Sequence, residues 1–208
     1  VEGIETPDEF IAYAARVSNP ANQHNTLTAP GLIAYLINNK HWSPLEMVSA
    51  TLEVTTTRDI ARQMLRHRSF SFQEFSQRYA EATQLGHTFR EARLQDDKNR
   101  QNSIETDDKE LEAWWQARQL QVWTLATEVY SEALAKGIAK EQARAPLPEG
   151  ITNSKLYMAG TIRSWYHYCD LRKGNGTQRE HAAIALSAIS ALAPKFPSIF
   201  NNPKIKLV

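Results

Sequence analysis

"RHRSFSFQEFSQRY", Arg66 to Tyr79, changes its period partway along. Upstream, Arg58, Arg62 and Arg66 fall four apart on one stripe of a helix that Thr57 opens and that carries Ile60, Ala61, Met64 and Leu65. After Arg68 the period is two, through Phe70 and Phe72. The stretch straddles a helix end and an extended segment, so the chain mixes helix and strand. It also threads four Phe and Tyr residues among four Arg and His residues. A solvated segment has little use for so many rings, and a core segment cannot hide so many guanidiniums without a large desolvation penalty. The question is what the arginines hold.

Outward from that stretch the elements are readable. Thr6-Pro7-Asp8-Glu9 is a capping box with proline at the first helical position. The helix it opens is expected to bury Phe10, Ile11, Ala14 and Val17 and to stop near Asn19-Pro20. A second helix is expected over Ala29 to Asn39, with Leu32, Ile33, Leu36 and Ile37 inward. Ser43-Pro44-Leu45-Glu46 has the same box form, but the residues after it alternate: Val48, Ala50, Leu52 and Val54 point one way. It reads as a single turn feeding a strand. Residues 85–106, "LGHTFREARLQDDKNRQNSIET", are polar and charged and read as a long surface excursion: a lid, an interface arm or a disordered loop. Asp107 and Glu110 open a long helix, about residues 107–136, with an apolar stripe of Leu111, Trp115, Val122, Leu125, Val129 and Ala133 and Gly137 at its end. "AKEQAR" is a short helix stopped by Pro146, "KLYMAGTI" a strand and "RSWYHYCDLR" a helix, and Thr177 starts a last one. No repeat, low-complexity run or linker interrupts this order. Residues 1–208 are therefore expected to form one α/β (α+β) domain, a mixed, largely antiparallel sheet flanked by helices.

Composition bounds the function. The net charge is +1, from 24 basic and 23 acidic residues, whereas a general nucleic-acid binder shows a basic surplus. A local arginine cluster is then a site rather than part of an overall field. Cys169 is the one cysteine, so no internal disulfide forms. No apolar run is long enough to cross a membrane, and "VEGIETPDEF" lacks the regions of a signal peptide, so a cytoplasmic protein is expected.

Several groups invite chemistry. An Arg fork matches phosphate or carboxylate and stays charged at any working pH. In the opening stretch, Glu74 is close enough in sequence to neutralise one guanidinium, and a phosphate joined to a ring would satisfy both the arginines and the phenylalanines. The plainer reading is a surface ion-pair network with Phe facing the core. "ARAPLP", with Arg144, suits a ligand contact and equally an ordinary helix end. Trp165, Tyr166, Tyr168, Arg163, His167 and Arg172 suit a flat, charged cofactor and equally an amphipathic helix with an aromatic core face. No metal set with sound spacing, P-loop, dinucleotide-binding glycine pattern or nucleophile elbow is present, and "GNG" at Gly174–Gly176 is too short to be one.

Arg66-His67-Arg68 followed by seven residues and Ser76 resembles the RHR-x7-S signature of the flavin-dependent thymidylate synthases. "ARVS" (Ala15–Ser18), "HWSPLE" (His41–Glu46) and Gln63 ahead of it, and "SQRY", "ARAPLP", Leu171-Arg172 and "TQREH" behind it, follow the family order from about residue 10 to 185. The resemblance implies a methyltransferase that makes dTMP from dUMP, with methylene-tetrahydrofolate as carbon donor, reduced FAD as hydride source and NADPH re-reducing the flavin. It implies a homotetramer with active sites where subunits meet, and no nucleic-acid or membrane partner.

By matching position, the resemblance implies that Ser18, Ser43, Arg66, His67, Arg68, Glu74, Thr161, Arg163 and His167 hold FAD. Gln63, Arg66, Glu74, Phe75, Ser76, Gln77, Arg78, Arg144 and Arg172 would surround dUMP, and His41 would lie on the folate or nicotinamide side. Arg172 would be catalytic, activating the uracil; its pKa rules out a base, so it acts by stabilising negative charge. Thr161 and His167 stand where many members have Asn, and Gly176 where some have His. Cys169 adjoins Asp170, a carboxylate that disfavours a thiolate, which fits a route relying on flavin hydride. Two alternatives stay open on the residues alone. One is a nucleotide-binding, NADPH-oxidising flavoprotein without methyl transfer. The other is a nucleic-acid module using arginine on phosphate and phenylalanine on bases.

Overall fold

The structure is a computed structural model that describes residues 1–174, 176–205 and 207. Asn175, in the middle of "GNG", lies outside the described residues. Helices α1 (Pro7–Ala15) and α2 (Ala29–Asn38) lead to a 3-10 turn, Ser43–Glu46, and strand β1 (Ser49–Thr57). Then come α3 (Arg58–Met64), β2 (Ser71–Glu74), β3 (Arg93–Gln95), β4 (Ser103–Glu105) and the 27-residue α4 (Lys109–Ala135). The chain ends through α5 (Lys140–Ala143), β5 (Asn153–Thr161), α6 (Ile162–Arg172), α7 (Arg179–Leu192) and α8 (Pro197–Phe200).

The larger sheet has the order β1-β5-β2. Arg58 N donates to Thr152 O and Ile162 N to Val48 O, so β1 and β5 run antiparallel. The residues cluster into two compact units, Val1–Leu52 with Ser69–Ser71 and Ala159–Val208, and Glu53–Arg68 with Phe72–Met158.

In the first unit the capping box forms as read: Thr6 accepts from Glu9 N while the Glu9 carboxylate accepts from Thr6 N. Ile11, Ile33, Leu36, Ile37, Trp165 and Ala185 are buried. Val17 is 69% exposed, because α1 stops two residues before it. Ser43 makes no side-chain cap bond, so its box is one of sequence only. Helix α7 is not the last: Asp8, buried, accepts from Ser198 N (2.8 Å) and fastens the start of α8 to α1.

In the second unit α4 begins two residues later than expected, at Lys109. Asp108, not Asp107, caps it, accepting from Glu110 N and Leu111 N. Gly137, at φ 82°, ends it as a Schellman motif, with Gly137 N on Leu134 O and Ile138 N on Ala133 O. Its buried face is Gln119, Trp123, Ala126 and Tyr130, with Leu111, Trp115 and Ala133 half-buried beside them. Val122, Leu125 and Val129, expected inward, are 51%, 63% and 44% exposed. Two polar anchors choose the face. Gln119 accepts from Arg90 N (2.7 Å) and donates to Arg90 O (2.9 Å), and the Tyr130 hydroxyl accepts from Ala82 N (3.0 Å).

The polar excursion is built rather than loose. Strands β3 and β4 pair antiparallel, Leu94 opposite Ile104. At their tip Asp96 accepts from Lys98 N, Asn99 N and the Asn102 amide, and Gln95 donates to three backbone carbonyls. Of the three readings of this excursion, the disordered loop is the one that fails: its Asp and Asn side chains lock the turn.

Candidate active site

In the second unit, α3 ends at Met64, so Arg66 lies just past the helix rather than on it. Two arginines of the stripe hold the chain's own carboxylates. Arg58 lies 3.7 Å from Glu74, and Arg62 makes a fork-to-fork pair with Glu149 (Nε to Oε2, 2.7 Å). Arg66 and Arg68 are exposed and have no hydrogen bond or ion pair among the described residues. Gln63 and His67 are half-buried near them in sequence. Glu74, at the end of β2, also accepts from Ser154 Oγ (2.7 Å), which fixes its carboxylate.

Strand β2 runs on through Phe75, half-buried, whose N donates to Lys155 O (2.8 Å). The Ser76 carbonyl then accepts from Tyr79 N and Ala80 N, closing a turn. Gln77 points inward, 4% exposed, with its amide nitrogen unpartnered. Ser76 and Arg78 line a cleft of about 370 Å³ with Tyr79, Ala139, Lys140 and Glu141. Arg78 pairs with the Glu141 carboxylate at 3.0 Å, and Arg144 Nε donates to the Glu141 main-chain oxygen at 3.4 Å. Ser76, Arg78 and Arg144 thus gather about one residue that the sequence reading did not single out. Lys140, donating to Tyr79 O at 3.2 Å, was missed as well. The available signal was the Glu141-x-x-Arg144 spacing, which brings Arg144, the C-cap of α5, back over the turn that carries Glu141.

The first unit carries the remaining residues. Helix α2 ends in a Schellman motif: Lys40 N donates to Ile37 O and His41 N to Leu36 O. Lys40 takes the left-handed conformation there, φ 59°, a place usually given to glycine. The turned chain presents His41, exposed and edge-on to Tyr35, then Trp42 and the exposed Ser43. Glu46, at the end of the same turn, pairs with Arg163 of α6 at 2.6 Å. Thr161 caps α6, accepting from Ser164 N (3.3 Å), so its hydroxyl serves the helix. His167 lies one turn beyond Arg163, with its ring 4.4 Å from that of Trp42. Burial, and then the Arg163 cation, hold the His167 pKa below its ordinary value, with Asp170 acting the other way. Arg172 is half-buried in the last turn of α6. Ser18 is exposed past the end of α1.

Cys169 faces the core of α6 and is fully buried. Burial pushes its thiol up to about 12, with Asp170 a lesser cause and Lys173 opposing. The carboxylate next door, on which the sequence expectation rested, is not the main cause of that shift. No group of three or more His, Cys, Asp and Glu side chains that could hold a metal ion occurs among the described residues.

Comparison with known proteins converges on one family. The family model described as thymidylate synthase complementing protein matches residues 1–198. A probable flavin-dependent thymidylate synthase of Paramecium bursaria Chlorella virus 1 is 52% identical over 199 residues, 96% of this chain and 91% of that protein. A flavin-dependent thymidylate synthase of Synechocystis is 50% identical over 194 residues, 93% of this chain and 88% of that protein. Among solved structures, the UMP/dUMP methylase PolB of Streptomyces cacaoi, bound with 5-bromo-dUMP, superposes with a TM-score of 0.81 at 29% identity, covering 97% of this chain and 92% of that one. With that agreement across nearly its whole length, the chain belongs to the thymidylate synthase complementing family, the flavin-dependent thymidylate synthases.

Proposed function

We propose that this methyltransferase makes dTMP from dUMP, with methylene-tetrahydrofolate as carbon donor and NADPH as the reductant of a bound FAD. The observation that carries the reading is the division among the arginines. Arg58 and Arg62 are taken by Glu74 and Glu149, whereas Arg66 and Arg68, in the signature itself, are exposed and unpaired among the described residues. Two such guanidiniums fit the anionic groups of a dinucleotide. Reduced flavin, when bound, supplies the hydride.

The chain's own residues position and polarise. Arg66, His67, Arg68, Glu74, Ser18, Ser43, Thr161, Arg163 and His167 are assigned to the cofactor. Gln63, Phe75, Ser76, Gln77, Arg78 and Arg144 are assigned to dUMP together with Arg66, Glu74 and Arg172, and His41 to the folate or nicotinamide side. Ser76 and Arg78 line a cleft, which supports a substrate role for that turn. The unpartnered amide of Gln77 marks the same turn. Arg172 stays cationic and stabilises negative charge as the uracil is activated. Cys169, buried with a raised pKa, is a poor nucleophile, which supports a route without a cysteine adduct. We assign residues 1–208 to one functional domain, assembled as a homotetramer in the cytoplasm. The half-exposed stripe Val122, Leu125 and Val129 supports self-association.

The test is tritium release from dUMP labelled at C5, with FAD, NADPH and methylene-tetrahydrofolate each omitted in turn. Release that requires all three is expected, with Arg172→Ala lowering the rate roughly 100- to 1,000-fold. A folded, flavin-binding protein that releases no tritium would leave a nucleotide-binding flavoprotein, and the dUMP assignments would fall.

A further inference from the structure

Trp42 has no role in the assignments above, yet it sits against the α6 face that carries Arg163 and His167. Its ring lies 4.4 Å from that of His167, with the planes at 64°, and 5.2 Å from Tyr166. The chain from Trp42 to Glu46 therefore grips α6 twice, through the Glu46–Arg163 ion pair and through the indole on the imidazole. Edge-to-face packing fixes the plane of the smaller ring and keeps water from one side of it. An imidazole held this way offers one donor and one acceptor nitrogen in set directions, whereas a freely turning, solvated one does not.

The charged and titratable groups around His167 are Arg163 one turn before it, Asp170 three residues after it, Glu46 on the guanidinium of Arg163, and the phenol of Tyr166. Desolvation and the cation together depress its protonation, and the indole packed on the ring is one of the groups that cover it.

We infer that Trp42 is a positioning residue of the proposed flavin site, holding the His167 imidazole in one orientation beside Arg163 for contact with the cofactor. The inference rests on the FAD reading of α6. In that role Trp42 acts through His167 rather than on the reacting atoms.

The experiment is FAD affinity from flavin fluorescence titration between pH 5 and 8, for wild type, Trp42→Ala, Trp42→Phe and His167→Gln. Wild type is expected to show a step whose midpoint lies below the ordinary histidine value of about 6.5. His167→Gln is expected to abolish it. Trp42→Ala is expected to weaken binding roughly three- to tenfold and to move the midpoint up toward about 6.5. Trp42→Phe, which keeps a ring at the contact, is expected to restore both. If Trp42→Ala does not fold, Trp42→Leu carries the same expectation, since it fills space without a ring. A Trp42→Ala midpoint equal to wild type, or a wild type with no His167-dependent step, overturns the inference while leaving FAD binding intact. A wild type that binds no FAD at any pH instead sinks the flavin reading on which it stands.

Discussion

Four arginines, at 58, 62, 66 and 68, look alike in the sequence and differ in the structure. Of these four, the first two are paired, Arg58 in a largely buried contact with Glu74 and Arg62 at the surface with Glu149, and the last two have no partner among the described residues. The Arg62–Glu149 pair is about half exposed, and pairs of that kind contribute roughly 0–1 kcal/mol. Arg62→Ala is therefore expected to lower stability by no more than about 1 kcal/mol and to leave FAD affinity unchanged. Arg66→Ala removes a guanidinium that holds nothing in the chain, so the urea midpoint should not move. FAD affinity should fall roughly 10- to 100-fold, the loss of a charge-assisted hydrogen bond. Parallel urea and flavin titrations decide it: equal effects of the two substitutions on FAD would return the signature arginines to the surface network. Cys169 shows how far reading at this scale goes. A neighbouring carboxylate is visible in the sequence, but the burial that dominates its pKa comes only with the fold.

Elements whose information is local were legible. The capping box at Thr6, the alternation in β1 and the glycine stop at Gly137 each depend on a few adjacent residues and stand where the pattern put them. The misplaced face of α4 and the unforeseen hairpin depend on side chains that bond across long sequence separations or back onto their own turn. Hydropathy scores Gln119 as surface, yet it is 3% exposed and fully paired. The alternation of Phe with Arg in the opening stretch has its explanation at this scale too. Phe70, just ahead of β2, lays its ring on Gly160 of β5 and against Trp165 of α6 at 4.9 Å. A Cβ on Gly160 would meet the Phe70 ring at 2.5 Å. Either that ring or the strand backbone must then shift, and overpacking of this kind costs about 1–3 kcal/mol. Gly160→Ala is expected to lower the urea midpoint accordingly with an unchanged slope. Wild-type stability in that variant would mean that Phe70 is loosely held.

For the molecule as a whole, the sequence order of signature segments carried the family, while the exposed apolar stripe of α4 was hidden by a wrong buried face. Val122, Leu125 and Val129 recur at helical spacing along α4, and each is close to half exposed or more. An apolar stripe that long, left in water, loses the hydrophobic gain that burial would return, about 25 cal/mol per Å² of apolar surface. A second copy offering the same stripe is self-complementary, because a two-fold axis sets each helix against its equal. Leu125, the most exposed of the three, is where a charge does most harm to such a contact and least to the fold. Glutamate is also a good helix former, so α4 itself should persist. Leu125→Glu is expected to leave the helical circular dichroism and monomer fold intact and to shift sedimentation from the proposed tetramer to a smaller species. If active sites form where subunits meet, tritium release should fall in step with the loss of assembly and recover at high protein concentration. A variant that stays tetrameric, or a dissociated one that keeps full activity at every concentration, would separate this stripe from the active assembly.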